Sequence, residues 1–314
     1  MFLITEWMPI GVDRLAAAGV TIYDPELWRD RARLSAQLAN CTALIVRNQT
    51  RVDAALLANA PQLRVVGRLG VGLDNLDLDA LRTRGITVVT GGNANAIAVA
   101  EYTLAAMLTL ARRLPAADQH TKGGGWDRAA FGAGFELHGK TLGLIGLGDI
   151  GARVARRALA FGMRVVAHDP LITPQHFAAA ELGVTLMPLD DLLGESDFIS
   201  LHVPLLPTTR HLIHAERLAR MKPTAALINT SRGGIVDEAA LVEALRAGRL
   251  GGAALDVRAH EPPEQPDPLA QFENVLLTPH IAGLTAESQA RVCQAVAEDV
   301  LRVLRGERPL FAVR

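Results

Sequence analysis

Cysteine is nearly absent from this 314-residue chain: Cys41 and Cys293 are the only two, and neither has a second cysteine or a histidine at metal-ligand spacing. Each stands beside an apolar run, TALIV in one case and RVCQAVAEDVLRVL in the other, which predicts two buried thiols in a reducing compartment. An excess of charge is missing as well. With 32 basic and 33 acidic residues the formal net charge is -1, so there is no electrostatic footprint for nucleic acid or for an anionic membrane surface. Any anion bound here must be held by local groups. The uncharged run from Tyr102 to Ala111 is too short to cross a bilayer, and MFLITEWMPI carries no basic leader region or cleavage site, so the expected location is the cytoplasm. His211 and His214 lie at i, i+3 without an accompanying carboxylate or cysteine; they are read as surface residues, and no metal site is expected. Internal repeats and low-complexity segments are lacking too.

What is present is apolar material for two cores: 49% of the residues are hydrophobic, and the length suggests about two domains. The chain is organised around KTLGLIGLGDIGARVARRALAFGMRVVAHD, Lys140 to Asp169. Leu142 to Ile145 predicts a short buried strand, GLGDIG a glycine turn from Gly146 to Gly151, Ala152 to Phe161 an amphipathic helix ended by Gly162, and Val165 to Ala167 a second strand. At this spacing Gly146 makes the tight turn, Gly148 lets the backbone approach a pyrophosphate, and Gly151 allows close helix packing. The helix N-terminus then offers unpaired N–H groups to phosphate. Asp169 lies 18 residues beyond Gly151, where a carboxylate can accept from both ribose hydroxyls and repel a 2′-phosphate. The next residues, Pro170-Leu171-Ile172, bring no arginine to receive such a phosphate, so NAD is expected over NADP.

Before that stretch, Phe2–Thr5, Val20–Tyr23, Ala43–Val46, Arg64–Val66 and Ile86–Val89 read as strands, alternating with helices at Pro9–Ala18, Leu34–Ala39 and Val52–Ala58. Such alternation predicts a parallel sheet. Two loops after strand ends hold candidate ligand groups: Arg47 to Thr50, including Asn48, and Gly67 to Asn75, including Val71 and Gly72. The second has GxG but Asn75 in the third glycine's place, which suits a backbone cradle for a small anion such as a carboxylate. Arg47 and Arg51 bracket the first loop and suggest a grip on a second anionic group of the substrate. A long helix from Ala98 to Arg113, stopped by Pro115, leads into a glycine-rich loop with Trp126 available to anchor it. After Asp169, buried strands are expected at Thr185–Met187, Phe198–Leu201, Ala225–Asn229, Ala253–Val257 and Val275–Leu277, completing a doubly wound domain. Thr285 then caps a last helix, Ala286 to Leu304, whose stripe of Val292, Ala295, Val296, Val300 and Leu304 should pack on the N-terminal domain.

Hydride transfer to a carbonyl requires a cation to grip the substrate, an acid to protonate the developing alkoxide, and a group to tune that acid. Arg232, His280 and Glu261 supply these residue types, each just past a predicted strand end of one sheet. His280 is the candidate acid because the ordinary histidine pKa, ~6.5, lies nearest working pH, and a neighbouring carboxylate favours the imidazolium.

The ordered set GRLGVGLDNLD, GLGDIG, LHVPLLPTTR, INTSRGGIVDEAAL, ALDV, HEPP and TPHIAG resembles the D-isomer-specific 2-hydroxyacid dehydrogenase family over nearly the whole chain. The resemblance implies an α/β fold of two Rossmann-like doubly wound parallel-sheet domains closing on a cleft. In it, residues 1–98 with 285–314 form a discontinuous substrate-binding domain, and 99–284 the NAD-binding domain. It implies substrate contacts from Asn48, Val71, Gly72, Arg232 and His280, with Arg232, Glu261 and His280 catalytic. It places Gly146, Gly148, Asp149, Ile150, Gly151, Asp169, Val203, Pro204, Thr230, Ser231, Arg232, Asp256, His280 and Gly283 along NAD, and it implies homodimers formed through the long helix. The substrate is then a small 2-hydroxy or 2-oxo acid of the phosphoglycerate, sulfolactate, glycerate or lactate type. Glu261 argues against the formate dehydrogenase branch, which has Gln there. Thr90-Gly91-Gly92 replaces the Asn-x-Pro of many members and should loosen its loop. Serine feedback is not expected without the C-terminal extension of some phosphoglycerate dehydrogenases. The rival reading is an NAD(H)-sensing binding protein resembling dehydrogenase-fold corepressors, whose additional segments this chain lacks.

Overall fold

The computed structural model describes residues 1–313. They form two compact units: Met1–Asn95 with the chain from Leu284 on, and Ala96–Gly283. Each unit is built on one sheet in which all strand pairings are parallel, as expected for buried Val/Ile/Leu-rich strands alternating with helices.

In the first unit the chain runs β1 (Phe2–Ile4), α1 (Val12–Ala18), β2 (Thr21–Tyr23), α2 (Arg31–Leu38), β3 (Ala43–Val46), α3 (Ala54–Ala58), β4 (Val65–Arg68), α4 (Leu78–Thr83) and β5 (Thr87–Thr90). The spatial order is β2-β1-β3-β4-β5, which reverses direction between β1 and β3. The helix expected from Val52 begins two residues later. Asp53 accepts from Leu56 N as its N-cap, while Val52 makes a bridge to Leu76.

The second unit begins with α5 (Ala96–Arg112) and α6 (Leu114–Lys122). Pro115 does not stop the long helix. Arg113 turns left-handed at φ 50° and ends it, and the proline sits in the first turn of α6, where a missing N–H costs nothing. Then follow β6 (Thr141–Ile145), α7 (Asp149–Ala160), β7 (Arg164–His168), α8 (Phe177–Ala180), β8 (Thr185–Leu186), α9 (Leu189–Glu195), β9 (Phe198–Leu201), α10 (Ala215–Arg220), β10 (Ala226–Asn229), α11 (Glu238–Arg246), β11 (Gly252–Leu255) and β12 (Val275–Leu277). The sheet has seven strands, each at a segment the sequence marks as a strand, in the order β12-β11-β10-β9-β6-β7-β8, the two-residue β8 taking one edge. Its direction reverses between β6 and β9, the place where open α/β sheets bind ligands beyond the strand ends. α5 buries Ala100, Leu104, Met107 and Ala111 in the core of this unit. Trp126 anchors nothing; it is 83% exposed. No helix is long and apolar enough to cross a membrane among the described residues.

The last helix, α12 (Ala286–Arg305), returns to the first unit. Thr285 caps it by accepting from Ser288 N, and Gly306 closes it at φ 79°. Val292, Cys293, Val296 and Val300 pack against Ile45, Val65 and Val89. Both cysteines are buried and free, and burial raises both thiol pKa values above the ordinary range. Beyond α12, the segment from Leu310 lies along the free edge of β5: Phe311 O accepts from Thr90 N, and Val313 N donates to Val88 O. The Thr90-Gly91-Gly92 segment is not a loosened loop. A Cβ on Gly91 would lie 3.0 Å from Val292, and one on Gly92, at φ 55°, 2.4 Å from the Phe311 ring, so these glycines allow close packing of helix and tail.

Gly67 in β4 is the tightest contact with α12, since an added Cβ would fall 2.7 Å from Val296 Cγ1 and 2.9 Å from Val300 Cγ2. Gly67→Ala is therefore expected to destabilise the protein by about 1–3 kcal/mol through overpacking. Urea unfolding measures it; unchanged stability would mean that α12 is not seated so closely on the sheet.

Candidate active site

The turn after β6 is fixed by steric necessity at two of its glycines. Gly146 has φ 96° and a Cβ there would meet His202 O at 2.5 Å, while a Cβ on Gly151 would meet Gly146 O at 2.2 Å. Above Gly148 there is open space, with nothing within 4 Å of an added Cβ, so this is where a pyrophosphate can approach the first turn of α7. Asp149 and Ile150 open that helix, and Asp149 pairs with Arg153 at 2.9 Å. Asp169, just past β7, accepts Leu147 N and Leu171 N, both at 2.9 Å, one on each oxygen. Each oxygen keeps a lone pair for a ribose hydroxyl.

Across the reversal point, Val203 and Pro204 follow β9, and Thr230 and Ser231 follow β10. The Thr230 hydroxyl is buried without a hydrogen-bond partner, a donor aimed at something outside the protein's own bonding. Asn229 shapes this loop by accepting from Ser231 N and Ser231 Oγ and donating to Arg232 O. The His202 ring packs in the same region; burial pushes its pKa down to about 3, and Ser200 Oγ shares a hydrogen bond with its Nε2 at 2.9 Å. The glycine turn, Asp169 and the unpartnered Thr230 hydroxyl together fit a dinucleotide.

The same strand ends bring Arg232, Glu261 and His280 together. Gly233 makes this possible: a Cβ there would lie 1.9 Å from the Arg258 carbonyl carbon, so only glycine lets the β10 loop pass so close to the β11 loop. His280 Nδ1 is 2.7 Å from Glu261 Oε2, and the two side chains are 38% and 34% exposed. Burial raises the Glu261 pKa, but the hydrogen bond and charge of His280, the Arg258 N–H and the charge of Arg232 outweigh it. The carboxyl ends below its ordinary value. His280 itself is held at φ 57°, a left-handed conformation uncommon for a non-glycine residue. Buried Asp256 fixes that turn by accepting Thr278 Oγ1 (2.6 Å), Ile281 N (2.8 Å) and Ala282 N (2.7 Å). Tyr102 of α5 hydrogen-bonds Thr278 in turn. Asp256, expected along the cofactor, thus directs these bonds at the loop that carries His280 and Gly283.

Three supporting residues escaped the sequence reading: Tyr102, Thr278 and Arg258. Arg258 donates its backbone N–H to Glu261 Oε1 (3.1 Å), and its guanidinium, 9% exposed, pairs with Glu238 (3.1 Å) and with Asp267. A charged side chain on a strand-end loop gave no sequence signal that its partners lie at the start of α11 and nine residues on.

Asn48, Val71 and Gly72 belong to the first unit, in the loops after β3 and β4. Asn75, in the place of the missing third glycine, ties these loops by donating to Arg47 O (3.3 Å) and Thr50 O (2.7 Å). Arg47 and Arg51 do not form a bracket. Arg47 turns inward, its Nε bonded to Trp7 O and its guanidinium over the Trp7 ring, whereas Arg51 is exposed and 3.9 Å from Asp53. His211 is exposed and His214 half-buried, and no cluster of three or more His, Cys, Asp or Glu side chains suited to a metal occurs among the described residues.

Asp267, 7% exposed, has its pKa lowered chiefly by the hydrogen bond from Arg258, against the opposing effect of burial. A depressed carboxyl pKa contributes stability that is full above the unfolded value of about 3.9 and lost as pH falls through the lower native value. Asp267→Asn is expected to cost roughly 3 kcal/mol at pH 7 and to flatten the acid limb of stability below about pH 4. Denaturant titrations across pH check both, and an unchanged acid limb would contradict the assignment.

A family model for the D-isomer specific 2-hydroxyacid dehydrogenase NAD binding domain matches residues 104–282. D-3-phosphoglycerate dehydrogenase of Mycobacterium tuberculosis is 47% identical over 278 residues, covering 88% of this chain and 52% of that protein. The chain therefore spans about half the length of the phosphoglycerate dehydrogenases it matches. (S)-sulfolactate dehydrogenase of Chromohalobacter salexigens is 47% identical over 307 residues, covering 96% of this chain and 97% of that protein. Among solved structures, the TT0316 protein of Thermus thermophilus superposes with a TM-score of 0.92 at 38% identity, covering 100% of this chain and 99% of the other. By sequence, by fold and by the residues assembled at its strand ends, this chain belongs to the D-isomer specific 2-hydroxyacid dehydrogenase family.

Proposed function

We propose that this protein is an NAD-dependent dehydrogenase that interconverts a small D-2-hydroxy acid and its 2-oxo acid. The observation that carries the reading is the 2.7 Å contact between His280 Nδ1 and Glu261 Oε2 beside Arg232, at the strand ends of a dinucleotide-type sheet. The Gly146–Gly151 turn with Asp149 and Ile150 would hold the pyrophosphate, Asp169 the ribose, and Val203, Pro204, Thr230, Ser231, Asp256 and Gly283 the remainder. When bound, NADH supplies the hydride that reaches the substrate's second carbon. Arg232 grips the substrate carboxylate and carbonyl oxygen. With Nδ1 engaged by Glu261, His280 presents Nε2, and the proton there passes to the carbonyl oxygen as the alkoxide forms. Glu261 orients the ring and stabilises its protonated form before transfer. Asn48, Val71 and Gly72 complete the substrate contacts, Val71 and Gly72 through backbone groups. We place the enzyme in the cytoplasm as a homodimer joined through the long helix α5.

Two relatives are named for substrates that carry a second anionic group, phosphoglycerate and sulfolactate. The test is NADH oxidation with hydroxypyruvate phosphate, sulfopyruvate, hydroxypyruvate, glyoxylate and pyruvate. Turnover of at least one is expected, with kcat/KM higher for NADH than for NADPH because Asp169 repels a 2′-phosphate. Saturable NADH binding with no turnover on any 2-oxo acid would instead favour a cofactor-sensing protein.

A further inference from the structure

The loop from Arg47 to Thr50 turns four consecutive backbone N–H groups toward one point, an arrangement that makes an anion-binding nest. In this protein the nest is filled from within. Glu6, just beyond β1 and 3% exposed, places its carboxylate there: Oε1 accepts Arg47 N (2.8 Å) and Thr50 N (2.9 Å), and Oε2 accepts Asn48 N (3.1 Å) and Gln49 N (2.9 Å). Four donors saturate the four or so lone-pair sites of a carboxylate. The other side of the loop is bound as fully, since Asn75 takes the Arg47 and Thr50 carbonyls and Thr5 Oγ1 meets Thr50 Oγ1 at 2.7 Å. With its N–H groups turned inward, the loop leaves Asn48 and Gln49 exposed.

We propose that Glu6 is a positioning residue for substrate recognition: its carboxylate occupies the nest of the Arg47–Thr50 loop, so the loop meets the substrate through the Asn48 and Gln49 side chains rather than through its backbone. This rests on the dehydrogenase reading above. A glutamine at this position has one acceptor oxygen in place of two and turns an N–H₂ donor toward two other donors, so the loop cannot keep its form. An alanine empties the nest and leaves four donors unpaired, a vacancy that a small carboxylate from solution can enter.

The test compares the full-length wild type with Glu6→Gln and Glu6→Ala, using the 2-oxo acid that the wild type reduces best. In both variants KM for that acid is expected to rise about tenfold, equivalent to the loss of one good contact, while kcat and the NADH dissociation constant stay within about twofold. Amide exchange at Asn48, Gln49 and Thr50 should speed up. Acetate or formate should bring the KM of Glu6→Ala back toward wild type and leave wild-type KM unimproved. A folded Glu6→Gln protein with unchanged KM, or with residues 47–50 as protected as in the wild type, overturns the proposal. So does a joint loss of kcat, NADH affinity and melting temperature without anion rescue, the mark of a purely structural role. If the wild type reduces no 2-oxo acid, the dehydrogenase reading fails, and the exchange of residues 47–50 still decides whether Glu6 clamps the loop.

Discussion

A carboxylate taken out of water must be met by hydrogen-bond donors, and this protein uses that demand to shape its loops. Asp256, 1% exposed, gathers Thr278 Oγ1 and the N–H groups of Ile281 and Ala282, and so holds His280 in a left-handed conformation. Glu6 gathers the four N–H groups of the loop after β3. Asp299 of α12, fully buried, accepts Leu310 N and Phe311 N and seats the end of the chain on the edge of β5. In each case the acid stands at a strand end or within a helix, and an irregular segment carries the donors. A parallel sheet alone would leave those segments undefined, because its ladder bonds end with the strands.

This division explains how the side chains of the candidate site are placed. Arg232 and Glu261 come from loops that touch only because Gly233 has no side chain, and Glu261 is steadied by the N–H of Arg258, whose guanidinium is itself locked between Glu238 and Asp267. Glu261 thus rests on a residue of low exposure, which limits the freedom it can lose on binding a ligand. The same logic keeps the dinucleotide turn open at Gly148 while its neighbours Gly146 and Gly151 are closed against backbone.

The architecture was legible in the sequence where local pattern and local cause coincide. A strand such as Ala43–Val46 is uniformly buried and reads as an unbroken apolar run, and Thr285 and Gly306 mark the ends of α12 by ordinary capping chemistry. Arg232, Glu261 and His280 were legible as residue types at strand ends, although their pairing is a matter of three dimensions. What stayed hidden depends on long-range contacts. Pro115 reads as a stop signal but starts a helix, because Arg113 adopts the left-handed turn one residue before α6. Gly91 and Gly92 read as flexibility but serve the close approach of Val292 and Phe311, more than two hundred residues away in the chain. Arg47 reads as a cation for substrate, yet the carbonyl and ring of Trp7 hold its guanidinium.

The central claim is that His280 is the acid and Glu261 its partner, and the pH dependence of reductive kcat/KM tests it most directly once single-turnover measurements establish that chemistry limits the rate. In the wild type the rate should fall as pH rises through the titration of the acid, because only the protonated ring can protonate the alkoxide. Glu261→Gln keeps the shape and removes the charge; because the pairing with His280 helps hold the Glu261 carboxyl below its ordinary value, losing it should move the fall to lower pH. A profile in Glu261→Gln that coincides with the wild type would show that Glu261 does not govern the acid, and the dyad would have to be given up.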